Sequence, residues 1–242
     1  MNVQCEQFAR TIYTRRDMEY SLLAPLCFAF MGVLIYKEES RKFGTAVVFK
    51  GLSSLCFVVM GIAFTLLSGS TLFDRLVVCG LACGFIGDVI MSMRRVYKDK
   101  AAAIFVAGGA VFMLCHIMYL CALIRISSHK PQCIIAGVVI GALLVLIFGR
   151  KLEIEKKVKA FGSLYIIMVS CMMCFAFDMV ISTGQYGAVV FSVGAIFLLM
   201  SDVILVLNQF GQHKRHQHSF RIISLMFYYV GQLMIAASLY MI

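Results

Sequence analysis

Charge is scarce in this chain: 14% of its 242 residues are Asp, Glu, Lys or Arg, against 62% hydrophobic, and the mean hydropathy is +0.92. A soluble domain is about one quarter charged and half apolar, so the soluble globular class is excluded. Proline is nearly absent, with Pro25 and Pro131 the only two, which predicts helices that are mostly unbroken. Short alternating segments are missing too, and with them the signature of a membrane β-barrel. The first nineteen residues hold Arg10, Arg15, Arg16, Asp17 and Glu19 but no small-residue cleavage site, so the apolar run after them reads as a retained helix, not a signal peptide.

What is present is a series of long apolar runs separated by short loops that carry most of the charge. About 20 helical residues are needed to cross roughly 30 Å of hydrocarbon. The runs fall at 20–36, 43–66, 72–93, 101–124, 133–149, 161–181, 186–207 and 219–241. The expected fold is an all-α integral membrane protein of about eight transmembrane helices, a single domain over 20–242 preceded by a segment 1–19, with no soluble domain on either side.

Alternate loops differ in charge. One set holds Lys37, Arg41, Lys42, Arg94, Arg95, Lys98, Lys100, Arg150, Lys151, Lys156, Lys157, Lys159, Lys214, Arg215 and Arg221, fifteen basic residues; the other holds Arg10, Arg15, Arg16, Arg75, Arg125 and Lys130, which is six. The positive-inside rule assigns the first set to the cytoplasm and both termini to the lumen or exterior. Topology therefore accounts for the net charge of +10 without nucleic acid. In the loop His213-Lys-Arg-His216-Gln-His218, contact with anionic headgroups is preferred over metal binding. Of the ten cysteines, Cys171-Met-Met-Cys174 has a metal-like spacing but sits mid-span, where cysteine is a small packing residue. No metal and no cofactor are expected.

The informative residues are those that cost several kcal/mol, by roughly the insertion scales, to place within a span. They are Lys50, Asp88, His116, Asp178 and Asp202. Asp178 lies near a helix end, within reach of the interface. Asp88 in Gly87-Asp88-Val89-Ile90-Met91 and Asp202 in Ser201-Asp202-Val203-Ile204-Leu205 form a matched pair. Each stands five residues before the same end of its span, roughly 7–8 Å of rise. Phe112-x-x-x-His116 likewise matches Tyr228-x-x-x-Gln232, and Lys50 falls opposite Leu164 and Tyr165. Polar residues thus occupy corresponding helices of two parallel four-helix repeats, about 20–124 and 133–242, around a polar cavity. Gly80, Gly84 and Gly87 lead up to Asp88 with the small-residue spacing of close helix packing.

The segments Gly87-Asp88-Val-Ile-Met91, Phe112-Met-Leu-Cys-His116-Ile-Met-Tyr119, Phe197-Leu-Leu-Met-Ser201-Asp202 and Tyr228-Tyr229-Val-Gly-Gln232, with Lys50, Tyr165 and Met172, resemble the successive motifs of the YhhN/TMEM86 family of membrane lysoplasmalogenases. The resemblance implies hydrolysis of the vinyl ether bond of a lysoplasmalogen, releasing a fatty aldehyde and glycerophosphoethanolamine or glycerophosphocholine. In a eukaryote it implies the endoplasmic reticulum membrane. The partners it implies are the lysophospholipid substrate and membrane lipids. Vinyl ether hydrolysis needs an acid, a nearby anion and a water, which two carboxyls in unequal surroundings can supply. Asp88 and Asp202 are the catalytic candidates, with the acid left unassigned between them. His116 either shuttles protons, orients an aspartate or is structural; Lys50 either meets the phosphate or holds an aspartate ionised. Tyr119, Tyr165, Tyr228, Tyr229 and Gln232 are the substrate-binding candidates. The alternative is a transporter or carrier of a lipid or small polar molecule, which would favour helix breaks near its site. A zinc amidase would need about three histidines within the bundle, and only His116 lies inside a span.

Overall fold

A computed structural model of the chain describes residues 22–149, 156–210 and 217–242. Among these residues there is no strand, and eight α-helices follow one another: α1 (Leu23–Glu39), α2 (Phe43–Ser68), α3 (Leu72–Met93), α4 (Ala101–Ile126), α5 (Lys130–Gly149), α6 (Lys156–Thr183), α7 (Tyr186–Phe210) and α8 (Gln217–Ser238). Seven of them, α2 to α8, are long and apolar enough to cross a membrane, and the chain is a multi-span membrane protein. The eighth, α1, has 17 residues, about 25 Å of rise, and accompanies them as a shorter helix. The basic N-terminal segment, Arg150, Lys151 and the loop histidines His213 and His216 lie outside the described residues.

The turns explain where helices stop. Gly69 ends α2 with φ +104°, a left-handed conformation that favours glycine. Two residues on, Thr71 caps α3: the Asp74 amide donates to its hydroxyl at 3.2 Å, and its own amide donates to the Asp74 carboxylate at 2.7 Å. Asp178 serves the turn between α4 and α5. Its carboxylate accepts from the Ser127 hydroxyl at 2.5 Å, the Ser128 amide at 3.0 Å and His129 Nδ1 at 2.7 Å. This carboxylate is therefore buried and fastens the turn at its helix end.

Neighbouring helices α2, α3, α4, α6, α7 and α8 close into a ring, α8 returning to α2, with α1 outside on α2 and α5 outside on α6. Exchanging α1–α4 with α5–α8 reproduces these contacts, α4 on α6 becoming α8 on α2; lighter contacts of α8 with α1 and α3 depart from the scheme. Glycines allow the closest approaches. A Cβ on Gly137 or Gly141 would overlap the α6 backbone at Cys171 and Ile167, and one on Gly80 would overlap the Tyr119 ring.

Candidate active site

Every polar residue singled out within the spans is inside the bundle. Asp88 is 1% exposed and Asp202 7%, so neither faces lipid. They belong to two clusters built on corresponding helices.

The first cluster joins α2, α3 and α8. Lys50 Nζ lies 3.0 Å from Asp88 Oδ1, and the Ser54 hydroxyl, one turn along α2, donates to Asp88 Oδ2 at 2.5 Å. Tyr229 crosses from α8, donating to the Lys50 carbonyl at 3.4 Å with its oxygen 3.5 Å from Ser54 Oγ. Both carboxylate oxygens are thus engaged, and the buried charge is met by a buried cation.

The second cluster joins α4, α6 and α7. Tyr165 donates to Asp202 Oδ2 at 2.9 Å, and His116 Nε2 lies 3.5 Å from the same oxygen. His116 Nδ1 sits 2.7 Å from the Phe112 carbonyl. A carbonyl only accepts, so Nδ1 carries its hydrogen and Nε2 of a neutral ring turns a lone pair toward Asp202. At 3.5 Å the two groups face each other without a hydrogen bond, and Nε2 has no hydrogen-bond partner among the described residues. Asp202 has no lysine or arginine partner among the described residues.

Aromatic and amide groups separate the two clusters. Tyr119 donates to Gln232 Oε1 at 2.6 Å, tying α4 to α8. Tyr228 sets its edge against Phe112, with centroids 5.9 Å apart, and against Tyr229 at 5.2 Å. The Tyr228 hydroxyl has no hydrogen-bond partner among the described residues.

The two carboxyls do not line one polar cavity. Asp202 and Tyr165 stand in the wall of a mostly apolar cavity of about 90 Å³ between α3, α4, α5, α6 and α7. Lys50 instead lines a polar chamber of about 510 Å³ between α1, α2, α3, α7 and α8, with Glu38, Arg94, Arg95 and Arg221. Met91 and Leu205 border both spaces. Both lie toward one end of the bundle, where α3 and α7 end and α8 begins, and the helix exchange that maps the ring onto itself maps one onto the other.

The polar chamber brings in residues that the sequence offered only as loop charges. Glu38 is shared between Arg221, whose Nε donates to it at 2.6 Å and whose Nη2 also contacts it, and Arg95, at 3.0 Å. Beside them His218, the described member of the histidine loop, pairs with Glu39 at 2.8 Å. Glu38 is one of several acidic residues in the strongly basic loops, and nothing in the sequence set it apart. Ser54 gave no signal either, because serine is unremarkable in a span until its partner is known.

Fold and interior together define a multi-span membrane protein with buried, individually partnered carboxyls, one of them in the wall of an apolar cavity. The chain belongs to the YhhN family, whose sequence profile matches residues 45–239 and so takes in both clusters. Comparison with curated proteins and with solved structures returns no match.

Proposed function

We propose that the protein hydrolyses the vinyl ether bond of lysoplasmalogens, with the His116–Asp202 pair as proton donor and the Lys50–Asp88 pair as a fixed buried ion pair behind the site. The observation that carries this reading is the position of Asp202: its carboxyl stands in the wall of an apolar cavity, 2.9 Å from the Tyr165 hydroxyl and 3.5 Å from His116 Nε2. The substrate's reactive bond lies at the junction of chain and headgroup, which fits an apolar space adjoining a polar one. Family membership is consistent with this activity.

The chemistry follows from the pair. Asp202 gives its proton to the β-carbon of the alkene, leaving an oxocarbenium ion on the carbon bonded to oxygen. Water adds there, losing a proton that returns to the pair through His116. The resulting hemiacetal breaks its bond to the glycerol oxygen, giving a glycerophospho-alcohol and a fatty aldehyde. Tyr165 holds the Asp202 carboxyl toward the cavity, while Tyr119, Gln232, Tyr228 and Tyr229 keep the surrounding helices in register. A general acid contributes about 10²–10⁴-fold. The positive-inside bias would set both spaces toward the cytoplasm and the termini toward the lumen.

A transporter would favour interrupted helices near its site, and each described helix runs unbroken. The test is to incubate purified protein with a lysoplasmalogen and its ester and alkyl-ether analogues. Aldehyde should come from the vinyl ether alone, and Asp202→Asn should lower the rate by about 100-fold or more while the protein still folds. Unchanged release from that variant would remove Asp202 from the mechanism.

A further inference from the structure

Among the described residues, Arg94 is a cation of the polar chamber without a carboxylate within ion-pair distance. Lys50 is matched to Asp88, and Glu38 is already divided between Arg95 and Arg221. One guanidinium nitrogen of Arg94, Nη1, is buried without a hydrogen-bond partner among the described residues, as are Ser92 Oγ and Asn208 Oδ1, which line the same chamber. The guanidinium is held in place by the Phe105 ring, 5.3 Å from its centroid, and Phe105 also lines the apolar cavity. Buried polar atoms are nearly always paired, so three unpartnered ones around one chamber favour a polar ligand there. Arginine with a hydroxyl beside it is the donor set of a phosphate.

We propose that the chamber binds the phosphodiester of a single-chain lipid, with Arg94 as its principal contact and Ser92 as a second donor. The inference rests on the lysophospholipid reading above and moves phosphate recognition from Lys50, which is engaged with Asp88, to Arg94. Burial, followed by the charges of Arg95 and Arg221, lowers the Arg94 pKa to about 10. The group still carries its charge at neutral pH, and an anion beside it would relieve that strain. Arg95 and Arg221 stand close by, with Glu38 as their anion. The glycerol carbons of the lipid would pass the border at Met91 and Leu205, leaving the chain in the apolar cavity beside Asp202.

The test uses the full chain in maltoside micelles, which contain no phosphate. The ligands are an alkyl-ether lysophospholipid, which cannot be hydrolysed through a vinyl ether, the corresponding alkylglycerol without phosphate, and inorganic phosphate. Affinity is read from the ligand-dependent shift in thermal unfolding. The lysophospholipid should bind roughly 10-fold or more tightly than the alkylglycerol, the range expected for hydrogen bonds to a charged group. Arg94→Gln should erase that difference, with a single cooperative unfolding transition as the sign of an intact fold, and Arg94→Lys should restore part of it. Equal binding of the two lipids to the unaltered protein would overturn the proposal, and so would a preference that survives Arg94→Gln. A full effect from inorganic phosphate alone would overturn the lipid assignment. Because the analogue is inert, binding and hydrolysis can fail separately. Aldehyde release with no phosphate preference would remove this subsite and leave the reaction standing; the converse would remove the reaction.

Discussion

Asp88 and Lys50 hold each other inside the bundle at 3.0 Å, both buried. Removing one partner leaves a buried charge, which typically costs about 3–5 kcal/mol. Lys50→Met should therefore destabilise the protein by that order in unfolding experiments, and Lys50→Met with Asp88→Asn should recover much of the loss. A double variant no better than the single one would mean that the two charges are not coupled. The aspartates were legible from sequence because an ionisable residue in an apolar run stands out by its cost. Their partners were partly legible. The alignment that set Lys50 opposite Tyr165 pairs the two residues that bind Asp88 and Asp202 respectively. Arg94 was not legible as a binding residue, since a basic residue just past a helix end is what topology alone would supply.

Among the elements, α3 and α5 show how small residues set the distance between helices. Gly80, Gly84 and Gly87 let α3 lie against Tyr119, Tyr228 and Phe112, which brings Asp88 into the interior. Gly137 and Gly141 do the same for α5 on α6, and α5 in turn closes the outer wall of the apolar cavity with Leu144 and Phe148. Gly141→Leu should push α5 off α6 and cost about 1–3 kcal/mol by overpacking. An unfolding midpoint equal to that of the unaltered protein would contradict the close contact. The sequence spans matched α3 residue for residue and the other helices to within a few positions. Their ends were set by chemistry that hydropathy does not register, such as the Thr71–Asp74 cap and the carboxylate of Asp178 reaching across to the turn after α4.

At the scale of the whole molecule, one four-helix arrangement recurs in the contacts, and its two interior sites differ. One keeps an ion pair beside a polar chamber; the other sets Asp202, bonded to Tyr165 and 3.5 Å from His116, beside an apolar one. The sequence suggested a single polar cavity because it gave corresponding positions without giving the space between helices. That space depends on contacts such as Tyr119 to Gln232, 113 residues apart, which no local pattern encodes. An amphiphile bridging the two spaces would bring its chain–headgroup junction to Asp202, and this is the core of the functional proposal. The most direct test is to run the purified protein on a lysoplasmalogen in deuterium oxide and analyse the aldehyde by mass spectrometry. Protonation at carbon predicts a fatty aldehyde carrying one deuterium on the carbon next to the carbonyl, formed by the unaltered protein and not by Asp202→Asn. An aldehyde without that deuterium, or a folded protein that releases none, would contradict the account.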